Sequence, residues 1–234
     1  MADALLWAYG VVPGPAAPPA RGVAGRPVTP IAHGKLAVLA SAAPFSAGEL
    51  QQRLEDMETL ASLARAHDAV LEAAFDRGDV VPFRMGTLYE TPQAIRDMLA
   101  AETDRFAAVL TRLHDKAEWG VKAFLAPPRS EPSPSSGTEY LARRRAQRDQ
   151  TEESSEAAAD VHARLAEYAA GAVLSRLQDR GVSGRDTEMV LNGSYLVPRA
   201  EAADFAALVE ALGREHQGLT LELTGPWPPY HFVA

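Results

Sequence analysis

The side chains that could carry acid–base or metal chemistry are thinly spread in this chain. Its six histidines are His33, His67, His114, His162, His216 and His231. None forms an H-x-x-x-H or H-E-x-x-H pattern, so a zinc-type site would need distant segments to converge. There is no cysteine, which excludes disulfides, thiolate metal sites and thiol nucleophiles. His33-Gly34-Lys35-Leu36 contains a Gly-Lys pair but lacks the earlier glycine and the following hydroxyl of a phosphate loop. Gly181-Val182-Ser183-Gly184 is too short for a nucleophile elbow and reads as a loop after a helix. A catalytic or cofactor-binding constellation is therefore not expected, and neither is a metal site.

Four other features stand out. His67 lies near the apolar stripe of a predicted helix and is followed by Asp68. It reads as a structural histidine at the margin of a core. The alternative is a general base, for which no partner nucleophile can be named. Arg84 sits in Pro82-Phe83-Arg84-Met85-Gly86-Thr87, an apolar extended segment. Its charge must reach solvent or a carboxylate; a structural ion pair is the first reading and a ligand or partner contact the second. Arg143-Arg144-Arg145 and Arg148 run straight into Asp149, Glu152, Glu153 and Glu156, a solvated, salt-bridged helix face. Finally, Gly225-Pro226-Trp227-Pro228-Pro229-Tyr230-His231-Phe232 has three prolines within four positions, which argues against both helix and ladder strand. An extended, polyproline-like tail follows, whose Trp227, Tyr230 and Phe232 rings must pack on the protein itself or on a partner.

These residues need a scaffold, and 234 residues suffice for one large domain or two small ones. The composition, 47% hydrophobic and 23% charged, is globular. A net charge of -8 disfavours phosphate backbones and anionic membrane surfaces. No stretch approaches the roughly 18–20 apolar residues of a membrane span, and the first residues lack the pattern of a secretory leader. A cytoplasmic setting is the simplest expectation.

Along the chain, Leu5–Val12 reads as a central strand, Pro13–Pro30 as a breaker-rich loop and Lys35–Ala40 as a short strand. Ser46 with Glu49 forms a capping box for a helix that reaches about Phe75, with a break near Asp56. Its apolar stripe is Met57, Leu60, Ala61, Ala64, Leu71, Ala74 and Phe75. Val80–Glu90 is extended with an edge, bulge or kink at Pro82 and Gly86. Thr91-Pro92 opens a helix whose stripe runs from Ile95 through Met98, Leu99, Phe106, Val109 and Leu110 to Leu113.

Beyond it, Glu118–Leu125 alternates, with Trp119, Val121, Ala123 and Leu125 on one face. A Pro/Ser linker at Pro127–Ser136 precedes a long helix over Thr138–Arg180, whose stripe is Val161, Leu165, Tyr168, Ala172 and Leu177. Asn192-Gly193 inside Glu188–Val197 signals a hairpin turn. A helix over Arg199–Glu215 and an alternating strand at Leu219, Leu221 and Leu223 complete the pattern.

The fold class is thus α+β, with two α/β lobes: residues 1–115, and a ferredoxin-like βαββαβ lobe over 116–224. Residues 225–234 form the extended Pro/aromatic tail.

Four stretches, in order and from end to end, resemble the GvpF/GvpL family of gas vesicle proteins. They are Leu6-Trp7-Ala8-Tyr9-Gly10-Val11-Val12; Ala66-His67-Asp68-Ala69-Val70 with Val80-Val81-Pro82-Phe83-Arg84-Met85-Gly86-Thr87; Lys116-Ala117-Glu118-Trp119-Gly120-Val121-Lys122; and Leu223-Thr224-Gly225-Pro226-Trp227-Pro228-Pro229-Tyr230-His231-Phe232-Val233. The Glu-Trp-Gly-Val-Lys and Gly-Pro-Trp-Pro-Pro-Tyr pieces are the most specific. The resemblance implies a non-enzymatic accessory or minor structural protein without a cofactor. Its implied partners are the small hydrophobic shell protein GvpA and other Gvp accessory proteins, with no nucleic acid or membrane partner, and its setting is the gas vesicle. Arg84, Trp227, Tyr230 and Phe232 are the candidate partner-binding residues. The rival reading is a ferredoxin-like regulatory module holding a small molecule between its lobes, near Arg84 and His67.

Overall fold

In a computed structural model, the described residues are 5–18, 20–43, 45–46, 48–50, 55–126, 137–179 and 187–233, without the side chains of 137–151. The Pro/Ser linker, the Gly181–Gly184 stretch and the Arg143–Arg148 side chains lie outside them. The chain is a mixed α/β protein with two antiparallel sheets, divided into two compact units. One comprises Met1–Lys116 with Trp227–Ala234, the other Ala117–Pro226.

In the first unit, strand β1 (Leu6–Pro13) lies between β3 (Leu36–Ala42) and the short strands β4 (Val81–Pro82) and β5 (Leu88–Tyr89), with β2 (Thr29–His33) outside β3. The near-continuous apolar run of β1 reflects this central place, since Trp7 to Val12 are all buried. A bulge interrupts its pairing with β3, which passes from Ala8↔Ala40 to Gly10↔Leu39 and leaves Tyr9 unmatched. Beyond the bulge Gly10 is obligatory, because a Cβ there would come within 2.6 Å of the Val81 carbonyl oxygen.

Strand β2 takes Thr29 and Pro30 from the loop expected over Pro13–Pro30 and runs on to His33, a stretch for which no strand was expected. The breakers hide it, but it pairs along its whole length with β3 through a Gly34-Lys35 turn in which Gly34 has φ +59°. The Gly-Lys pair is thus a hairpin turn.

The Ser46–Glu49 capping box is made, with the Ser46 N–H donating to Glu49 Oε2 at 2.7 Å. A fresh helix, α1 (Met57–Phe75), starts after Asp56, whose carboxylate accepts the Thr59 N–H at 2.8 Å. Its buried face is Leu63, His67, Val70, Leu71, Ala74 and Phe75, rotated from the stripe expected. Met57, counted in that stripe, is 74% exposed. Helix α2 (Pro92–Ala101), capped by Thr91, and helix α3 (Thr103–Leu113) replace the single helix expected there. The break falls at Glu102, where ψ turns to 14°, while the stripe carries on through Phe106, Val109, Leu110 and Leu113.

One turn of α1 ties these elements together. The Trp7 indole N–H can only donate, and it donates to His67 Nδ1 at 3.0 Å. The proton of the neutral ring therefore resides on Nε2, which donates to the Phe83 carbonyl at 3.1 Å. The imidazole also stacks on Tyr9, with centroids 5.3 Å apart. Tyr9 in turn holds the 3-10 turn Val23–Gly25: its hydroxyl accepts the Val23 N–H at 2.8 Å and bonds Ser41 Oγ at 2.7 Å. Burial raises the Tyr9 pKa, so the hydroxyl stays protonated.

In the second unit the sheet order is β7 (Gly171–Leu174), β8 (Met189–Pro198), β6 (Lys116–Leu125), β9 (Leu219–Trp227). Helices α4 (Gly137–Tyr168) and α5 (Ala202–Glu215) contribute Val161, Leu165, Phe205, Val209 and Leu212 to a core with Val121, Ala123, Leu191 and Tyr195. Helix α4 stops at Tyr168 rather than near Arg180. Ala172 is already in β7, and Leu177 lies beyond it, 49% exposed.

Asn192-Gly193 is not a hairpin turn. It sits inside the continuous β8, paired to β7 through Leu174↔Gly193. The glycine makes room for a ring, since a Cβ there would meet Tyr195 Oη at 2.6 Å. Asn192 uses its side-chain amide to hold the Arg176 carbonyl at 2.9 Å. Strand β9 also extends through Pro226, against the expectation that the prolines bar a ladder strand. It is an edge strand, where a missing N–H can face outward.

Two outcomes follow for stability. A Cβ at Gly22 would lie 2.0 Å from Tyr9 Oη, so Gly22→Ala must displace the ring and its hydrogen bonds. Thermal melts should show a loss of about 1–3 kcal/mol, whereas Gly78→Ala, with nothing within 4 Å of its Cβ, should be near neutral.

The second outcome concerns pH. Burial, opposed by the Phe83 hydrogen bond and the Asp68 charge, holds the His67 pKa below its ordinary value. The unfolded chain then takes up the proton first, near pH about 6.5. Its stabilisation is complete above that pH and is lost as pH falls towards the folded-state pKa. His114, raised by Asp79 and Asp115, contributes in the opposite sense, so the comparison must be with His67→Gln. The variant should be about 1–3 kcal/mol less stable at pH 8, with the gap narrowing towards pH 5.5; a gap constant with pH would contradict the assignment.

Candidate functional site

Three of the four sequence-derived candidates, Trp227, Tyr230 and Phe232, belong to the segment that rejoins the first unit, and Arg84 lies in that unit too. Their positions follow from local chemistry. Pro228 and Pro229 are buried, which seats the segment, and Tyr230–Phe232 then closes into a 3-10 turn rather than staying extended. Hydrogen bonds hold the turn. The Tyr230 hydroxyl donates to Asp68 Oδ1 at 2.7 Å, and Arg112 Nη2 donates to the Phe232 carbonyl at 2.6 Å. The tail is thus fastened to its own unit through Tyr230 and the backbone at Phe232. Trp227 remains 42% exposed.

Arg84 is placed by a tight turn between β4 and β5. Thr87 Oγ1 donates to the Arg84 carbonyl at 2.7 Å, and Gly86 supplies φ +84°. The guanidinium is exposed and, among the described residues, makes no ion pair. This corrects the structural ion pair expected first: the charge reaches water because the turn throws the side chain outward. His67 is 1% exposed and committed to Trp7 and Phe83. Both ring nitrogens are in use, so the general-base reading has no open atom to act through.

Sequence reasoning missed a groove in the first unit. It has a volume of about 310 Å³ and is lined by Val81, Pro82, Phe83, Tyr89, Met98 and Phe106, with Glu102 and Arg105 at its polar side and Val233 of the tail against it. Phe83 and Phe106 pack with centroids 6.2 Å apart. Arg105 lies 5.7 Å over the Phe106 ring while bonding Glu102 at 3.0 Å. The only sequence signal was the apolar content of three separate segments; their meeting is a long-range event.

Among the described residues, two clusters have metal-ligand types. In one, His114 Nδ1 lies 2.7 Å from Asp79 Oδ2 and its Nε2 3.4 Å from Asp115 Oδ2. These carboxylates raise the His114 pKa, which favours the imidazolium, an ion pair rather than a ligand set. In the other, Asp160 and Glu215 already share the guanidinium of Arg164, 2.7 Å from Glu215 and 3.6 Å from Asp160, while His216 Nε2 lies 3.0 Å from Asp160 Oδ2. Neither geometry calls for a metal. Among the described residues no helix is long and apolar enough to cross a membrane.

Comparison with known proteins places the whole arrangement. The chain is 36% identical over 231 residues to gas vesicle protein L of Streptomyces sp. (strain CB03234), covering 92% of this chain and 86% of that protein. It is 26% identical to gas vesicle protein F2 of Halobacterium salinarum over 182 residues, 76% of this chain and 71% of the relative. Its fold matches the crystal structures of GvpF from Anabaena sp. PCC7120, with a TM-score of 0.73 at 18% identity over 99% of this chain and 96% of that one, and from Microcystis aeruginosa, with 0.72 at 19% over 99% of both. The family model for gas vesicle synthesis protein GvpL/GvpF matches residues 5–234. From its first strand to its tail, the chain belongs to the GvpL/GvpF family of gas vesicle synthesis proteins.

Proposed function

We propose that this chain is a non-catalytic accessory or minor structural component of gas vesicles. It binds the small hydrophobic shell protein GvpA, with other Gvp proteins as further partners, and assists or nucleates shell assembly in the cytoplasm at the vesicle. The observation that carries the reading is the family match over residues 5–234 together with the 36% identity to a gas vesicle protein L. The surface supports it. Growing a hydrophobic wall requires a water-compatible helper, and the chain carries a net charge of -8. Arg84 and Trp227 extend into solvent from the first unit, and exposed aromatic and arginine side chains are the usual anchors of interfaces. Tyr230 and Phe232 lie in the 3-10 turn that follows Trp227 in the chain.

We read the second unit as ferredoxin-like. The support is its element order, strand–helix–strand–strand–helix–strand, with β7 and β9 at the edges and β8 and β6 between them.

Tagged full-length chain, co-expressed with GvpA from the same source, should retain GvpA on purification. Arg84→Ala with Trp227→Ala should lower retention about tenfold with an unchanged melting temperature, because both side chains are exposed. A folded wild-type chain that retains no GvpA overturns the reading.

A further inference from the structure

Two neighbouring residues of α1 hold separate parts of the first unit. His67 is buried and clamped between the Trp7 indole and the Phe83 carbonyl. Asp68 is exposed, accepts the Tyr230 hydroxyl at 2.7 Å and so holds the C-terminal turn. The Trp7 bond survives only while the imidazole is neutral. An indole N–H cannot accept, so a proton arriving at Nδ1 meets another donor and that partner is lost outright. The bond from Nε2 to the Phe83 carbonyl is kept, because that nitrogen donates in either charge state.

A buried imidazolium with one orphaned N–H requires a counter-charge. Strand β1 presents Trp7 and Tyr9, and the Tyr9 hydroxyl is committed to Val23 and Ser41. The segment after β4 presents a backbone carbonyl, and its Arg84 is cationic and turned to solvent. Phe45 meets Trp7 with an apolar ring. Among the groups described around His67 the acidic one is Asp68, whose charge favours the protonated ring. The carboxylate that answers the imidazolium is therefore the one that fastens Tyr230.

We propose that His67 and Asp68 form a proton-operated latch on the C-terminal segment. With His67 neutral, Asp68 holds Tyr230 and the turn Tyr230–Phe232 is docked. With His67 protonated, the imidazolium leaves Trp7 and competes with Tyr230 for the Asp68 carboxylate, and the tail opens. The rest of the unit stays assembled, since the Phe83 bond and the apolar face of α1 are retained. Burial holds the ring below the ordinary histidine value. The latch is thus closed above pH about 6.5 and opens as pH falls towards the folded-state value. The device governs the segment that carries Trp227 and does not depend on the identity of any partner.

The test is amide hydrogen exchange of the full-length chain at pH about 8 and about 5, on either side of the ordinary histidine value, each corrected for the intrinsic exchange rate. The Tyr230 and Phe232 amides donate to the Pro228 and Pro229 carbonyls. Their protection should fall about tenfold at the lower pH, the effect of losing one charge-assisted hydrogen bond, while the β1 amides remain protected. In His67→Gln, which keeps Asp68 and His231, the fall should vanish. In Tyr230→Phe, which lacks the hydroxyl, protection of the turn should be low at both pH values. A wild-type tail equally protected at both overturns the latch. So does a fall of wild-type size in His67→Gln, which assigns the effect to His231 or to Asp68 itself. If the β1 amides lose protection to the level of the tail, the acid form is unfolded and the latch fails too. Should His67→Gln not fold, Tyr230→Phe decides: a tenfold fall there, without the hydroxyl, overturns the proposal, and its absence supports it.

Discussion

The first unit is organised around a neutral imidazole. His67 accepts from Trp7 on β1 and donates to Phe83 after β4, so one side chain of α1 fixes the helix to the central strand and to the edge of the sheet. Either hydrogen bond left unmade would strand a buried polar group, at a cost of about 1–3 kcal/mol. Protonation would set two donors face to face at Nδ1. The arrangement therefore specifies both the charge state and the tautomer, and apolar contacts alone would specify neither.

The candidate surface inherits its geometry from this turn. Phe83, whose carbonyl His67 holds, presents its ring to the groove and precedes Arg84. Asp68, the next residue on α1, points the other way and holds the Tyr230 hydroxyl. A core histidine and an exposed aspartate, adjacent in sequence, thus place the two segments on which the proposed contact with the shell protein depends.

Much of this was legible in the residues. Strand β1 announced its central place by being apolar on both faces, and the Thr91-Pro92 and Ser46–Glu49 caps marked helix starts that the structure keeps. His67 was readable as structural because it lay near an apolar stripe and had no chemical partner in sequence. The misreadings share a cause: local signals serving a tertiary need. Asn192-Gly193 looks like a turn, yet the glycine is there for the Tyr195 ring. Strand β2 hides among prolines and glycines because its pairing with β3, invisible locally, overrides them. The α4 stripe persisted in sequence past Tyr168, since apolar residues of β7 continue the spacing by chance. The groove could not be read at all, as its walls come from residues near 82, 98 and 233.

The central claim, that a neutral His67 protonated on Nε2 holds the first unit together, is open to one direct measurement. Long-range proton–nitrogen correlation spectra of the imidazole side chains, recorded at about pH 6, slightly below the ordinary histidine value, report tautomer and charge residue by residue. The structure predicts a neutral His67 with its proton on Nε2, alongside a His114 whose carboxylate neighbours favour the imidazolium. A His67 ring that carries its proton on Nδ1, or that is doubly protonated at this pH in the folded chain, would contradict the Trp7–His67–Phe83 arrangement and the account built on it.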